Sequence, residues 1–305
     1  MTNNLTTRLD LAFDSLTGLS VGDALGAQYF VPGHSFADLA AGRLPAAPWE
    51  WTDDTEMACT VLTELAEHHE IDQDALAATF ADRCEPYRGY GPGAVVILHR
   101  IRDGVPWQRA AGEVFNGTGS CGNGAAMRVA PLGAWFFDDL DLAAGQAARS
   151  AEVTHRHPEG IAGAVAVALA ASIAAGPRIT PAELIDGVRQ YLPAGQVRDG
   201  VERAAGLLGR TIAEAGYELG NGARVTAQDT VPFAIWSAAT HLDDYPAAIR
   251  SCVEIGGDVD TMAAIVGGIV AAHAGSAGSP GEWLAARERL PEWVTAARGA
   301  AGSSG

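Results

Sequence analysis

The sequence predicts an all-α fold, a single helical domain, on three observations. Apolar residues recur at three- and four-residue spacing in several segments, strand-like alternation is nearly missing, and Gly/Pro-rich clusters separate the helical runs. In 57–66, Met57, Val61, Leu62 and Leu65 share one helix face. Ile161, Val165, Leu169 and Ile173 repeat at fours with small residues between them, which predicts a central helix that its neighbours approach closely. Ile265, Val266, Ile269 and Val270 repeat the pattern near the C-terminus. Turns fall at VPGH (31–34), RGYGPG (88–93) and GTGSCGNG (117–124), and the one candidate for extended chain lies near 224–226. With no fixed period and no long linker, the domain is expected over 5–296, followed by a disordered tail at 297–305.

Hydrophobic residues make up 48% of the 305 and charged ones 19%, enough to fill a substantial core. The net charge of −17 repels phosphate backbones, so no nucleic-acid partner is expected. An anionic small ligand would need local help from metal ions or helix N-termini. Four scattered cysteines without a C-x-x-C pair argue against a disulfide framework or a structural zinc site. The opening MTNNLTTRLDLAFDS lacks a secretory pattern. The most apolar run, 161–176, is short and rich in Ala and Gly, a poor membrane span. A cytoplasmic monomer with no membrane partner is the expectation.

Two segments carry candidate chemistry: WTDDTEMA (51–58) and GGDVDTMAAIVGG (256–268). Each sets acids and a threonine immediately before an amphipathic helix. Capping explains part of this, since Asp53-x-x-Glu56 fits a capping box. A cap uses one acid, however, and here Asp53, Asp54, Asp258 and Asp260, with Thr52 and Thr261, crowd two helix entrances. Brought together they would repel one another unless cations intervened. Oxygen donors without His or Cys point to Mg²⁺ or Mn²⁺, and two such ions could bind a hydroxyl-bearing or anionic substrate and polarise a water.

With these segments, GLSVGDALGAQ (18–28), RGYGPGAV (88–95), FNGTGSCGNGAAMRVAPLG (115–133) and THRHPEG (154–160), the chain resembles the ADP-ribosylglycohydrolase family, closest to its serine-directed branch. The resemblance implies an all-α fold around a central dinuclear metal cleft, with two Mg²⁺ (or Mn²⁺) and a site for ADP-ribose or an ADP-ribosylated protein. Carried over by position, Thr52, Asp53, Asp54, Asp258, Asp260 and Thr261 are metal ligands, with Asp54 and Asp258 the catalytic candidates. Gly119, Ser120, Cys121, Gly122, Asn123 and Gly124 wrap the diphosphate, in keeping with backbone N–H groups that glycines let approach an anion. Gly89 and Phe115 line the cleft, Phe115 near the adenosine end, and His155 touches the phosphate or ribose region. His68, His69 and His157 read as structural, Asp23 as a brace between helices, and Arg128 as either a phosphate partner or one half of a buried pair.

Two positions depart from the family pattern. Phe30 stands where the serine-directed branch has a glutamate, and Cys121 where it has an aromatic residue stacked on adenine. The resemblance implies hydrolysis of the bond between the distal ribose of ADP-ribose and its acceptor, serine- or arginine-linked or a small ADP-ribose derivative. The alternative is a non-catalytic ADP-ribose-binding module lacking the family's glutamate.

Overall fold

The computed structural model describes residues 2–303, and among them every regular element is helical. The extended piece sought near 224–226 is reduced to one isolated antiparallel pairing of Gly122 with Thr226. The centre of the molecule is made by three long helices, Thr2–Ala27, Pro158–Ala174 and Val259–Ala274, with the others laid around them.

Small residues let these helices approach far closer than ordinary side chains allow. A methyl group added at Gly22 would lie 2.1 Å from the Ala263 carbonyl oxygen, and one at Gly18 would lie 2.3 Å from Ala271 Cβ. Gly26 is pressed in the same way against Asp260 Cα, at 2.7 Å. Gly18, Gly22 and Gly26 thus form a seam at four-residue spacing, and it fixes where the second acidic segment stands relative to the first helix.

The Pro158–Ala174 helix is central, as its pattern predicts, but its burial follows a different logic. Ile161 and Ile173, members of the anticipated stripe, are only half-buried, whereas nearly all the small residues between them are fully enclosed. Gly133, from the Ala130–Trp135 helix, meets the Ala168 carbonyl at a Cβ position 2.0 Å away. A helix covered on all sides has no polar face to reveal through periodicity.

Where a disordered tail is expected at 297–305, the described chain continues in a helix over Glu292–Ser303, while Ser304 and Gly305 lie outside the described residues. Ala296, Ala297, Ala300 and Ala301 are strong helix formers. Val294 is buried, and the Arg83 guanidinium stacks on Trp293 at 3.6 Å, which anchors the first turn. No helix among the described residues is long and apolar enough to cross a membrane.

Candidate active site

The first acidic segment opens the Asp53–His68 helix. Its cap is Thr52, whose Oγ1 accepts from Asp54 N at 3.3 Å. The Asp53–Glu56 capping box does not form. Glu56 turns away, accepting from Tyr90 Oη (2.5 Å) and Glu85 N (3.2 Å). Asp53 and Asp54 are therefore not consumed as caps.

The second segment opens the Val259–Ala274 helix after the Gly256–Gly257 turn. Both glycines hold positive φ, and a Cβ at Gly257 would sit 2.0 Å from the Asn221 carbonyl. Asp258 makes no side-chain cap; its Oδ2 accepts from Asn123 Nδ2 at 2.6 Å. Thr261 Oγ1 reaches Asp54 Oδ1 at 3.4 Å, which joins the two helix entrances directly.

Asp23 ties the arrangement to the first helix. Its carboxylate accepts from Thr52 N and Oγ1, at 2.9 and 2.8 Å, and from the N–H and hydroxyl of Thr55. It braces helices as expected, and it also stands nearer the acids than the sequence indicated. One oxygen each of Asp23, Asp54 and Asp260 lie within 4.8 Å of one another, a spacing suited to a cation. Asp23 stood in view in the string GDALG, but nothing in one sequence places it against residues 30 positions on.

Burial pushes all these carboxyls upward, and their mutual repulsion adds to it. Asp23 rises to about 6, Asp53 to about 8 with the Asp23 charge as second cause, and Asp54 and Asp260 stand well above the carboxylate range. Among the described residues no arginine pairs with any of them, and the chain contains no lysine. Asp54 Oδ2 is buried without any hydrogen-bond partner. An uncompensated buried acidic cluster of this kind either binds protons or binds cations.

These groups form one wall of a cleft of about 670 Å³ that Asp53, Asp54, Asp258, Asp260 and Thr261 line. Thr52 lies behind them, holding Asp23 and the Asp54 amide. The same cleft is lined by the glycine loop with Phe115, Ser120, Cys121 and His155, and Gly89 stands beside Asp53, its Cβ position 3.6 Å from Asp53 Oδ1. Gly119 has φ +75°, and a Cβ there would meet His157 N at 2.8 Å. Methyl groups at Gly122 or Gly124 would come within 3.1 Å of His155 Nε2 and crowd that ring. Phe115 is 57% exposed at the rim with φ +52°.

Asn123 lines the cleft, and its Nδ2 donates to Thr230 Oγ1 (3.0 Å) and to Asp258 Oδ2, so both amide hydrogens are engaged within the protein and orient Asp258. Arg128 is fully buried, lies over Phe80 and pairs with no carboxylate, so it is not half of an ion pair. His157 caps the Pro158–Ala174 helix through Glu159 N; His68 and His69 lie at the far end of the Asp53–His68 helix, with His69 stacked on Trp135. Phe30 is 54% exposed and is not among the residues that line the cleft. Sequence reasoning missed the wall formed by Arg224, Val225 and Thr226, where Val225 holds φ +55°. A β-branched residue in that region is rare, and no residue pattern announces it.

The family model described as ADP-ribosylglycohydrolase matches residues 4–303. The chain is 28% identical to the ADP-ribosylhydrolase ARH3 of Gallus gallus, over 91% of this chain and 89% of that one. It is 25% identical to the ADP-ribosylarginine hydrolase Tri1 of Pseudomonas putida, over 90% and 74%. A solved structure described as an ADP-ribosylglycohydrolase-related protein complex superposes with a TM-score of 0.69 at 27% identity, covering 98% of this chain and 99% of that one.

Proposed function

This chain belongs to the ADP-ribosylglycohydrolase family, and from that premise we propose that it is a divalent-metal-dependent hydrolase releasing ADP-ribose from an acceptor. One observation carries the reading. Two acidic segments some 200 residues apart meet in one cleft that a glycine loop also lines.

The donor set fits hard cations. It offers only oxygens, it lacks any basic partner, and Asp54 Oδ2 is a buried acceptor with nothing to accept from. Thr52, Asp53, Asp54, Asp258, Asp260 and Thr261 would hold two Mg²⁺ or Mn²⁺ ions, which supply positive charge toward ribose hydroxyls and acidify water. The protein's own groups do the rest. Backbone amides of the glycine loop and His155 hold the diphosphate, and Phe115 lies against the adenosine. Asn123 holds Asp258 through Oδ2. Asp54 or Asp258 orients the attacking water and accepts its proton as the anomeric carbon gains oxocarbenium character; the bond from that carbon to the acceptor breaks, and the acceptor atom leaves with the electron pair and takes up the proton. Relatives named ADP-ribosylhydrolase and ADP-ribosylarginine hydrolase support an ADP-ribosylated substrate; the reading takes its acceptor as serine- or arginine-linked or as a small ADP-ribose derivative.

Phe30 favours a second reading, an ADP-ribose-binding module without turnover. The phenyl ring replaces an acid and stays outside the cleft. Calorimetry with ADP-ribose beside turnover of labelled serine- and arginine-linked peptides separates the two. The hydrolase reading expects release that chelator abolishes and that Asp258→Ala reduces at least about 100-fold, together with Mg²⁺ binding. Undiminished turnover of the variant in excess chelator overturns it, and tight binding without release establishes the module.

A further inference from the structure

We infer that Arg128 and Thr154 are positioning residues that hold the His155 ring with its hydrogen on Nε2, facing the glycine loop. The inference of the ring's state is independent of the ligand; that the hydrogen meets a diphosphate rests on the proposed function.

The direction of each hydrogen bond follows from what each group can do. A guanidinium only donates. Arg128 Nη2 lies 2.9 Å from Thr154 Oγ1 and 2.8 Å from the Ser150 carbonyl, so the threonine hydroxyl accepts from it. The oxygen has a second lone pair, but its own hydrogen must also be placed, and among the described residues His155 Nδ1, 2.8 Å away, is the one acceptor it meets. Nδ1 is therefore the acceptor and bare. A neutral imidazole with a bare Nδ1 carries its hydrogen on Nε2.

The surroundings agree. Thr154 and Arg128 are completely enclosed and His155 is nearly so, so water does not compete for these bonds. Burial and the nearby Arg128 charge both disfavour the imidazolium, holding its pKa at about 3. Nε2 has no acceptor among the described residues, and it abuts Gly122 and Gly124 in the wall of the cleft. A donor with no protein partner that opens to the cleft is free to meet a ligand oxygen. The arginine's positive charge thus acts one hydroxyl and one ring behind the site, and the group presented to an anion is a neutral, fixed N–H.

The test uses full-length protein with ¹⁵N-labelled histidine and long-range proton–nitrogen spectra at neutral pH. His155→Gln assigns the signal by its loss. The expected spectrum shows a bare Nδ1 and a protonated Nε2 for His155 in the ligand-free protein. Thr154→Val removes the hydroxyl at constant shape and is expected to mix the two ring forms and weaken ADP-ribose binding about tenfold. Thr154→Ser keeps the hydroxyl and is expected to retain both properties. A hydrogen on Nδ1 or a doubly protonated ring in the wild type overturns the inference, as does a valine variant with unchanged ring form. If ADP-ribose binds none of these proteins, the ligand assignment fails while the spectrum still decides the relay.

Discussion

Asn123 illustrates how much a single side chain decides here. From its place in SCGNG it reads as a ligand contact, yet its amide spans Thr230 and Asp258, 107 and 135 residues away. That bond keeps Asp258 directed at the cleft, and burial would otherwise favour its protonated form. Asn123→Ala is expected to weaken divalent-metal binding about 10- to 100-fold while the fold persists, the range seen when groups supporting metal ligands are removed. Calorimetric titration with Mn²⁺ beside a thermal melt checks it. Unchanged affinity would return Asn123 to the role of a plain loop residue. The identity of the acids was legible because carboxylates before a helix are conspicuous in any sequence. The use of Asn123, Thr154 and Arg128 was not, because a hydrogen-bond partner is chosen by the fold and leaves no local pattern.

Among the elements, the pair formed by Thr2–Ala27 and Val259–Ala274 governs the site. Its seam of glycines brings Gly26 against Asp260 and carries Asp23 to Thr52 and Thr55. Gly22→Ala forces a methyl group to within 2.1 Å of a backbone oxygen that cannot move without its helix. The expected cost is about 1–3 kcal/mol or more, read as a lower midpoint in urea. Gly145, in the Leu140–Glu152 helix, is exposed with open space around it, so Gly145→Ala serves as the control and is expected to gain about 0.4–1 kcal/mol. Equal effects at the two positions would refute the close-contact account. The Asp53–His68 helix was readable from its apolar spacing, although the structure buries it without a break from Asp54 to Leu62. The Pro158–Ala174 helix was placed correctly, but its all-round burial was not readable, since close packing of alanine and glycine erases the contrast that periodicity measures.

For the molecule as a whole, the buried acids couple stability to pH and to metal. Asp23 and Asp53 have folded-state pKa values of about 6 and about 8, above the ordinary carboxylate value, so the folded state holds their protons more tightly than the unfolded chain does. Their stabilising contribution is complete below about pH 4 and is lost as pH rises through 6 and then 8. Metal-free protein should therefore melt at a lower temperature at pH 8 than at pH 5. Mg²⁺ or Mn²⁺ should restore more stability at pH 8, where the carboxylates are free to bind it. Thermal melts in chelator and in excess metal at both values test this, and a metal-free protein that is more stable at pH 8 would contradict the buried-cluster description.

Alone, the chain determined its class and pointed to its chemistry: helices from spacing, a large core from composition, and a candidate oxygen-only cation site from acids that no cap could use up. It also made the family visible, because that resemblance resides in short strings of residues. Only the tertiary structure decided that Thr261 meets Asp54, that Asp23 joins them, that Phe30 stays outside the cleft, and that the last helix runs to Ser303. The physical reason is one of range. Helix propensity, capping and charge act over a few residues and are written locally, whereas contact between residues 200 positions apart depends on how closely whole helices pack, which each sequence position reports only through the neighbours it eventually meets.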